Sequence, residues 1–254
     1  MAQTASMLAI GDELLSGRTK DKNIAHLADV MTMAGIDLKE VRIVGDEPEE
    51  IVAAVNALRA RYDYVFTSGG IGPTHDDMTA DAIAAAFEAP IGYHPQAYAL
   101  MAKHYEARGM EFTEARKRMA RTPEGASLID NPVSVAPGFH IGNVYVLAGV
   151  PAVFQAMLEK IVAGLPQGPV VLSAAVECPF GEGDIGGPLG EIQKRHPDVV
   201  IGSYPKFDGA RYSTELVVRS RDGEALSRAR SEGRGDAGRA GGQPLHVMSR
   251  PCLR

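Results

Sequence analysis

The stretch YDYVFTSGGIGPTHDDMT, residues 62–79, runs from an aromatic and β-branched segment through three glycines to a pair of acids. Tyr62–Thr67 reads as a buried strand, and the Ala-rich run Thr79–Phe87 reads as a helix. Between them, Gly69, Gly70 and Gly72 let successive backbone N–H groups turn toward one point. The helix N-terminus behind them adds unpaired donors and partial positive charge. Ser68, Thr74 and Thr79 can add hydroxyls. Such a cradle suits a phosphate. Asp76 and Asp77 would repel that phosphate unless a divalent cation bridged them, and Mg²⁺ commonly takes one or two carboxylates together with substrate phosphates. Read only as a turn, the same stretch places Asp77 near a helix cap. No Gly-Lys-Ser/Thr follows the glycines, so this is not a Walker A loop. Its position after a third strand, and its spacing, exclude the dinucleotide fingerprint.

Working outward, short aliphatic runs alternate with helical ones. Ser6–Ile10 and Leu38–Val44 read as strands. Asn23–Ala34 places Ile24, Leu27, Met31 and Ala34 on one helical face, and Pro48–Ala60 does the same with Ile51, Val55 and Leu58. Asn143–Leu147 and Val153–Val162 repeat the strand-then-helix order. This alternation predicts an α/β fold with a parallel sheet and right-handed crossovers. Pro95–Arg121 is helical in pattern and reads as an insertion or an extended helical arm. The composition breaks at Gly164–Pro169. Beyond it, Val170–Cys178, Leu189–His196, Val199–Tyr204 and Tyr212–Arg219 predict a β-α-β-β unit. The expected organisation is therefore a domain over residues 1–165 and a small α/β domain over 170–227. Residues 228–254 carry six Arg, five Gly and two acids, a charge of +4, and are expected to be disordered. A last helix due near Asp222 dissolves into this tail, as a shifted reading frame would produce.

In an open parallel sheet, ligands bind beyond the carboxyl ends of the strands. Three further loops lie there. Gly11-Asp12-Glu13-Leu14-Leu15-Ser16-Gly17, followed by Asn23, offers tight turns and two acids. Gly45-Asp46-Glu47-Pro48 places Asp46 to cap a helix with Pro48 in its first turn, which leaves the carboxylate able to face a metal. Leu147-Ala148-Gly149-Val150-Pro151 lets backbone approach a ligand at Gly149, with Pro151 opening a helix; plain turn chemistry explains it equally well.

The net charge of −6 argues against a protein that coats nucleic acid, and nucleic acid is not an expected partner. Two cysteines cannot build a disulfide framework or a Cys-rich zinc site. No apolar run reaches the ~18–20 residues of a membrane span, and no signal peptide is read at the N-terminus, so the expected compartment is the cytoplasm.

Thr67-Ser68-Gly69-Gly70-Ile71-Gly72-Pro73, with Asp77-x-Thr79 and Asp81-Ala82, resembles the central motif of the molybdenum-cofactor-biosynthesis domain. Asp46 matches that family's upstream acid. The Gly11–Gly17 loop with Asn23 is most similar to the CinA-type branch. The resemblance covers about Ser6–Gly164, and Val170–Arg219 looks like the small domain that follows it in CinA-type proteins. It implies a three-layer α/β/α sandwich that binds molybdopterin or an adenine nucleotide, as a homo-oligomer of two or three chains. In adenylylating members, Asp46 and Asp77 would match catalytic, metal-holding acids in Mg²⁺-dependent AMP transfer to molybdopterin. In CinA-type members the domain is associated with ADP-ribose pyrophosphatase activity. The amidase domain of full-length CinA is expected to be absent. The resemblance therefore leaves open three readings: hydrolysis of an ADP-ribose-like diphosphate, adenylylation of molybdopterin, or a binding module without turnover. The expected ligand contacts are Gly11, Asp12, Glu13, Ser16, Asn23, Ser68, Gly69, Gly70, Gly72, Thr74, Asp76, Thr79, Gly149 and Pro151.

Overall fold

The computed structural model describes residues 2–209 and 211–241, the stretch from residue 233 as backbone only. The chain divides into two units, Met1–Gly168 and Pro169–Arg254.

In the first unit, β1 (Thr4–Ile10), β2 (Asp37–Val44), β3 (Tyr64–Ser68), β6 (Ser127–Ile129), β7 (Gly138–Ile141) and β8 (Val144–Leu147) form one sheet in the order β2-β1-β3-β8-β7-β6. The first four strands are parallel, and β7 and β6 extend the sheet antiparallel. Side chains alternate across a strand, so a strand covered on both faces reads as one apolar run. On β1, Ala5 and Met7 join Leu27, Met31, Phe66, Phe154 and Leu158 on one face. Leu8 and Ile10 join Ile51, Val55, Leu58, Val65 and Ile83 on the other. The first face is covered by α2 (Asn23–Ala34) and α7 (Pro151–Val162), the second by α3 (Pro48–Arg59) and α4 (Thr79–Ala86). This is the expected three-layer α/β/α sandwich with a mostly parallel sheet.

Residues 127–141, which carry no assignment by periodicity, supply β6 and β7, because strands of three and four residues are too short to show a period. Pro95–Arg121 is not an extended arm. It folds back as α5 (Pro95–Ala107) and α6 (Glu114–Arg118), bracketed by the antiparallel pair β4 (Ile91–Tyr93) and β5 (Arg121–Pro123). Ala97, Met101 and Ala120 are fully buried there, with Tyr98, Tyr105 and Phe112 packed against them. The aromatic contacts that close this lobe bring Phe112, on the segment between the two helices, back onto Tyr98 and Tyr105 of α5.

The second unit is a three-stranded antiparallel sheet, β10-β11-β9, formed by β9 (Leu172–Cys178), β10 (Val200–Phe207) and β11 (Tyr212–Ser220). Its first helix, α8 (Glu182–Arg195), starts seven residues earlier than the predicted Leu189. Gly186-Gly187-Pro188 reads as a breaker, yet Ile185 and Leu189 pack one turn apart against Val176, Cys178 and Leu216, and that burial carries the helix through. The expected disorder is also corrected: residues 228–241 continue α9 (Gly223–Gly241). Ala225 and Ala229 are buried against Val199 and Val218, and Glu232 accepts from Arg195 Nε at 2.7 Å and pairs with His196 Nε2 at 2.6 Å. Residues 242–254, the rest of the predicted tail, lie outside the described residues. Among the described residues no helix is long and apolar enough to cross a membrane.

Candidate functional site

The chain runs from β1 to β2 on one side and then returns to place β3 on the other side of β1. That reversal makes the ends of β1 and β3 a topological switch point, where open α/β sheets leave a crevice. A cleft of about 570 Å³ lies there, lined by the predicted Gly11, Glu13, Asp46, Gly69, Gly70, Gly72, Asp76, Asp77, Gly149 and Pro151.

The glycine loop is built by close approach. Gly69 has φ +109°, and a Cβ there would stand 2.2 Å from the carbonyl oxygen of Ile10 at the end of β1. Gly70, at φ +66°, would place a Cβ 2.1 Å from Thr79 Oγ1. Both positions exclude any side chain. The carbonyls of the loop are satisfied from behind: Thr79 Oγ1 donates to Gly69 O at 2.9 Å, and Thr79 N–H to Gly70 O at 3.0 Å. Among the described residues, no protein group accepts from the N–H of Gly70, Ile71 or Gly72. Free donors on one turn at the cleft wall are the backbone arrangement that an anion nest requires.

Asp77 closes this loop on itself. Its Oδ2 accepts from Thr74 N–H at 2.8 Å and from the Thr74 hydroxyl. It therefore bonds backward rather than capping α4, whose N-cap, Met78, has no side-chain bond. Asp46 does not cap α3 either; the N-cap is Glu47. Asp46 Oδ2 instead accepts from the N–H of Asp12, at 3.0 Å, on the short helix α1 (Asp12–Leu15) that begins directly after Gly11. Burial, and then the charges of Asp12, Glu13 and Asp76, hold the Asp46 carboxyl above its usual range, against the lowering effect of the Asp12 N–H.

Several predicted residues stand behind or beside the wall. Asn23, Ser68 and Thr79 are buried. Asn23 Nδ2 donates to Ser68 Oγ and to Gly149 O, both at 2.8 Å, and so ties the loop after β3 to the loop after β8. Asp12, Ser16 and Thr74 are exposed and lie off the cleft lining. His75 is 98% exposed, off the lining as well. Thr19, Met119, Asn131, Ser134 and Ala136 also line the cleft, and sequence reasoning passed over all of them. The Asn131-Pro132 and Pro137-Gly138 pairs mark a loop between strands, which was the available signal. Asp81, part of the motif, is engaged by arginines: Arg121 grips it bidentately at 2.6 and 3.1 Å, and Arg118 approaches at 3.4 Å, beside Gly70, Gly72 and Asp77.

Carboxylates of Glu13, Asp46, Asp76 and Asp77 thus share one cleft with a row of free N–H donors. Among the described residues no three metal-ligating side chains converge as a finished cage. A cation that takes one or two carboxylates and completes its shell with phosphate and water fits this donor set.

Residues 6–167 match the family described as "Probable molybdopterin binding domain", and residues 170–234 match "FAD synthase, middle domain". A protein of Caldivirga maquilingensis is 38% identical over 167 residues, which cover 64% of this chain and 64% of that protein. A CinA-like protein of Geobacter sulfurreducens is 35% identical over 225 residues, covering 85% of this chain and 54% of the relative. This chain therefore spans less than two thirds of the length of either. Among solved structures it is similar to CinA of Thermoplasma acidophilum, a protein of unknown function, at 34% identity and a TM-score of 0.59, over 63% of this chain and 98% of that one.

Proposed function

Because the chain belongs to the molybdopterin-binding domain family, and is similar to its CinA-like members, we propose that its cleft binds a diphosphate-bearing nucleotide or pterin and, with Mg²⁺, hydrolyses an ADP-ribose-like diphosphate. The observation that carries this reading is the meeting of free N–H donors at Gly70–Gly72 with the carboxylates of Asp46, Asp76 and Asp77 in one cleft. The nest binds the phosphate oxygens by hydrogen bonds that need no reorganisation. Asp46 and Asp77 are the residues that would hold the cation, Asp77 with Oδ1 because Oδ2 is committed to Thr74. Mg²⁺ held there would supply charge neutralisation for the diphosphate. Hydrolysis forms a bond from water oxygen to phosphorus and breaks the P–O–P bridge, giving two phosphate monoesters.

The family description names a pterin ligand, which supports a second reading: a pterin phosphate replaces water as nucleophile, attacks the α-phosphorus of ATP and releases pyrophosphate. Assays of the full chain with ADP-ribose and Mg²⁺, and separately with ATP, molybdopterin and Mg²⁺, separate the two. Release of AMP from ADP-ribose supports hydrolysis; AMP transfer to molybdopterin supports adenylylation. Consumption of neither, with a nucleotide still raising the melting temperature, identifies a binding module. A crystal soaked with ADP-ribose that shows the diphosphate away from residues 68–79 overturns the site itself.

A further inference from the structure

We propose that the outer strand β2 pairs antiparallel with β2 of a second copy of this chain, centred on Val41 and locked by two reciprocal Glu40–Arg42 ion pairs.

Among the described residues, β2 ends the six-stranded sheet and pairs only with β1. Gly11 N–H donates to Val44 O at 3.0 Å, so the backbone of Val44 faces β1. Backbone groups alternate in direction along a strand, and the pairing is regular from Glu40 to Val44. Glu40, Arg42 and Val44 therefore bond inward, and the N–H and C=O of Val41 and Ile43 face outward. Folded proteins blunt such an edge with a short strand, proline, charge or a bulge. The opposite edge, β6, has only three residues. β2 has eight, and its register shift falls at Lys39, which leaves the Glu40–Val44 half unprotected. The same half carries apolar surface. Val41 and Ile43 lie beside Met7 and Ala9 on the α2 face and are 37% and 43% exposed. Leu15, also exposed, stands 3.7 Å from where a Cβ on Gly45 would lie, and carries the patch past the end of the strand.

The charges select both the occupant and the register. Two identical antiparallel strands related by a twofold axis place residues of one sheet face opposite each other, so the axis passes through a residue. An axis at Glu40 sets acid against acid, and one at Arg42 sets base against base; like charges directly opposite destabilise a pair. An axis at Ile43 or Val44 runs Glu40 past the end of the other strand. An axis at Val41 sets Glu40 of each copy opposite Arg42 of the other and exchanges both backbone bonds between the two Val41 residues. Arg42 is prepared for this: Nε donates to Glu40 Oε1 of its own chain at 2.7 Å, and among the described residues its terminal nitrogens have no acceptor. Tyr62 Oη at 2.6 Å and Arg61 at 3.2 Å hold the other Glu40 oxygen in place. The segment Glu40-Val41-Arg42 is its own complement when reversed, which is the requirement for pairing with a second copy.

Sedimentation velocity of the full chain over about a hundredfold range of concentration tests this. The wild type is expected to pass from monomer to dimer as concentration rises. Val41→Pro removes an outward N–H that no bond to β1 uses, and Arg42→Glu sets acid against acid. Each is expected to weaken dimerisation by about 10-fold or more. Register is read by disulfide formation in a Cys252→Ser background. Val41→Cys should link two copies across the axis, where the Cα atoms of a hydrogen-bonded pair stand about 5.5 Å apart, and Ile43→Cys should not. A wild type that stays monomeric throughout overturns the proposal, and so does an assembly that neither Val41→Pro nor Arg42→Glu weakens. Should both of those variants lower the Tm of the monomer, cross-linking decides: Val41→Cys that fails to link, or Ile43→Cys that links as readily, overturns the pairing. None of these outcomes depends on the ligand of the cleft.

Discussion

The backbone N–H of Asp12 donates to Asp46 Oδ2 at 3.0 Å, while the N–H of Asp46 faces Asp12 Oδ1 at 3.4 Å. Two acids from successive strand ends are locked head to tail through their own backbones. The exchange fixes where both carboxylates point, and it concentrates negative charge at the mouth of the cleft beside Glu13 and Asp76. In the absence of a cation that arrangement is repulsive, and repulsion of this kind has measurable consequences.

The first concerns Asp46. Its folded pKa stands above the ordinary 3.8, for reasons of burial first and like charge second. From about pH 3.8 upward the folded state therefore holds more protons than the unfolded one, and stability falls as pH rises through that window. Asp46→Asn keeps an acceptor for Asp12 N–H and removes the charge. It is expected to melt at or up to about 1–3 °C above wild type at pH 7, a small gain because solvent screens a partly exposed group. The two curves should converge near pH 4, and turnover should be lost. A variant that melts several degrees lower at pH 7 contradicts the charge argument.

Asp77 carries two roles that a pair of substitutions can separate. Asp77→Asn retains an acceptor for Thr74 N–H and its hydroxyl, so the loop is expected to hold its shape while the metal charge is lost, lowering turnover about 100-fold or more. Asp77→Ala loses the loop closure as well and should cost about 1–2 kcal/mol in chemical denaturation. Full activity in Asp77→Asn removes Asp77 from the metal site.

Gly69→Ala tests the switch-point geometry. A Cβ at 2.2 Å from Ile10 O and a φ of +109° leave no relaxed solution. The expected cost is about 2–4 kcal/mol, from strain and displacement of the β1 end together. Urea denaturation reads it directly, and a change under about 0.5 kcal/mol would show that the loop has more freedom than its packing implies.

Asn23 is expected to behave as a strut. Asn23→Ala leaves Ser68 Oγ and Gly149 O without a buried donor and should lower stability by about 2–3 kcal/mol. Its effect on ligand affinity should follow that loss, because the loops after β3 and β8 are no longer tied. Thermal melting and titration with pyrophosphate check both parts. Loss of affinity with an unchanged Tm would instead place Asn23 in direct contact with ligand.

Read alone, the pattern of the amino-acid sequence determined an α/β fold with a parallel sheet, and it drew attention to the loops at the carboxyl ends of the strands. Stretches such as Met7–Ile10 and Val65–Phe66 are apolar because their strands are covered on both faces, and helices such as Asn23–Ala34 keep an apolar face, so local pattern and burial coincide. The glycines at 69, 70 and 72 were legible for the same reason: only a backbone that must turn and be approached closely uses three of them in four positions. What the tertiary structure decided lies in contacts between segments far apart in the chain. Asp46 reads as a helix cap from its neighbours, yet its partner is Asp12, 34 residues away. Asn23 and Thr79 look like ligand contacts until burial places them behind the wall. Residues 131–136 have no periodicity to read, and they reach the cleft only because β7 and the α5–α6 lobe hold them there. Periodicity records which face of an element is buried; it carries no information about which distant loop a polar side chain will meet.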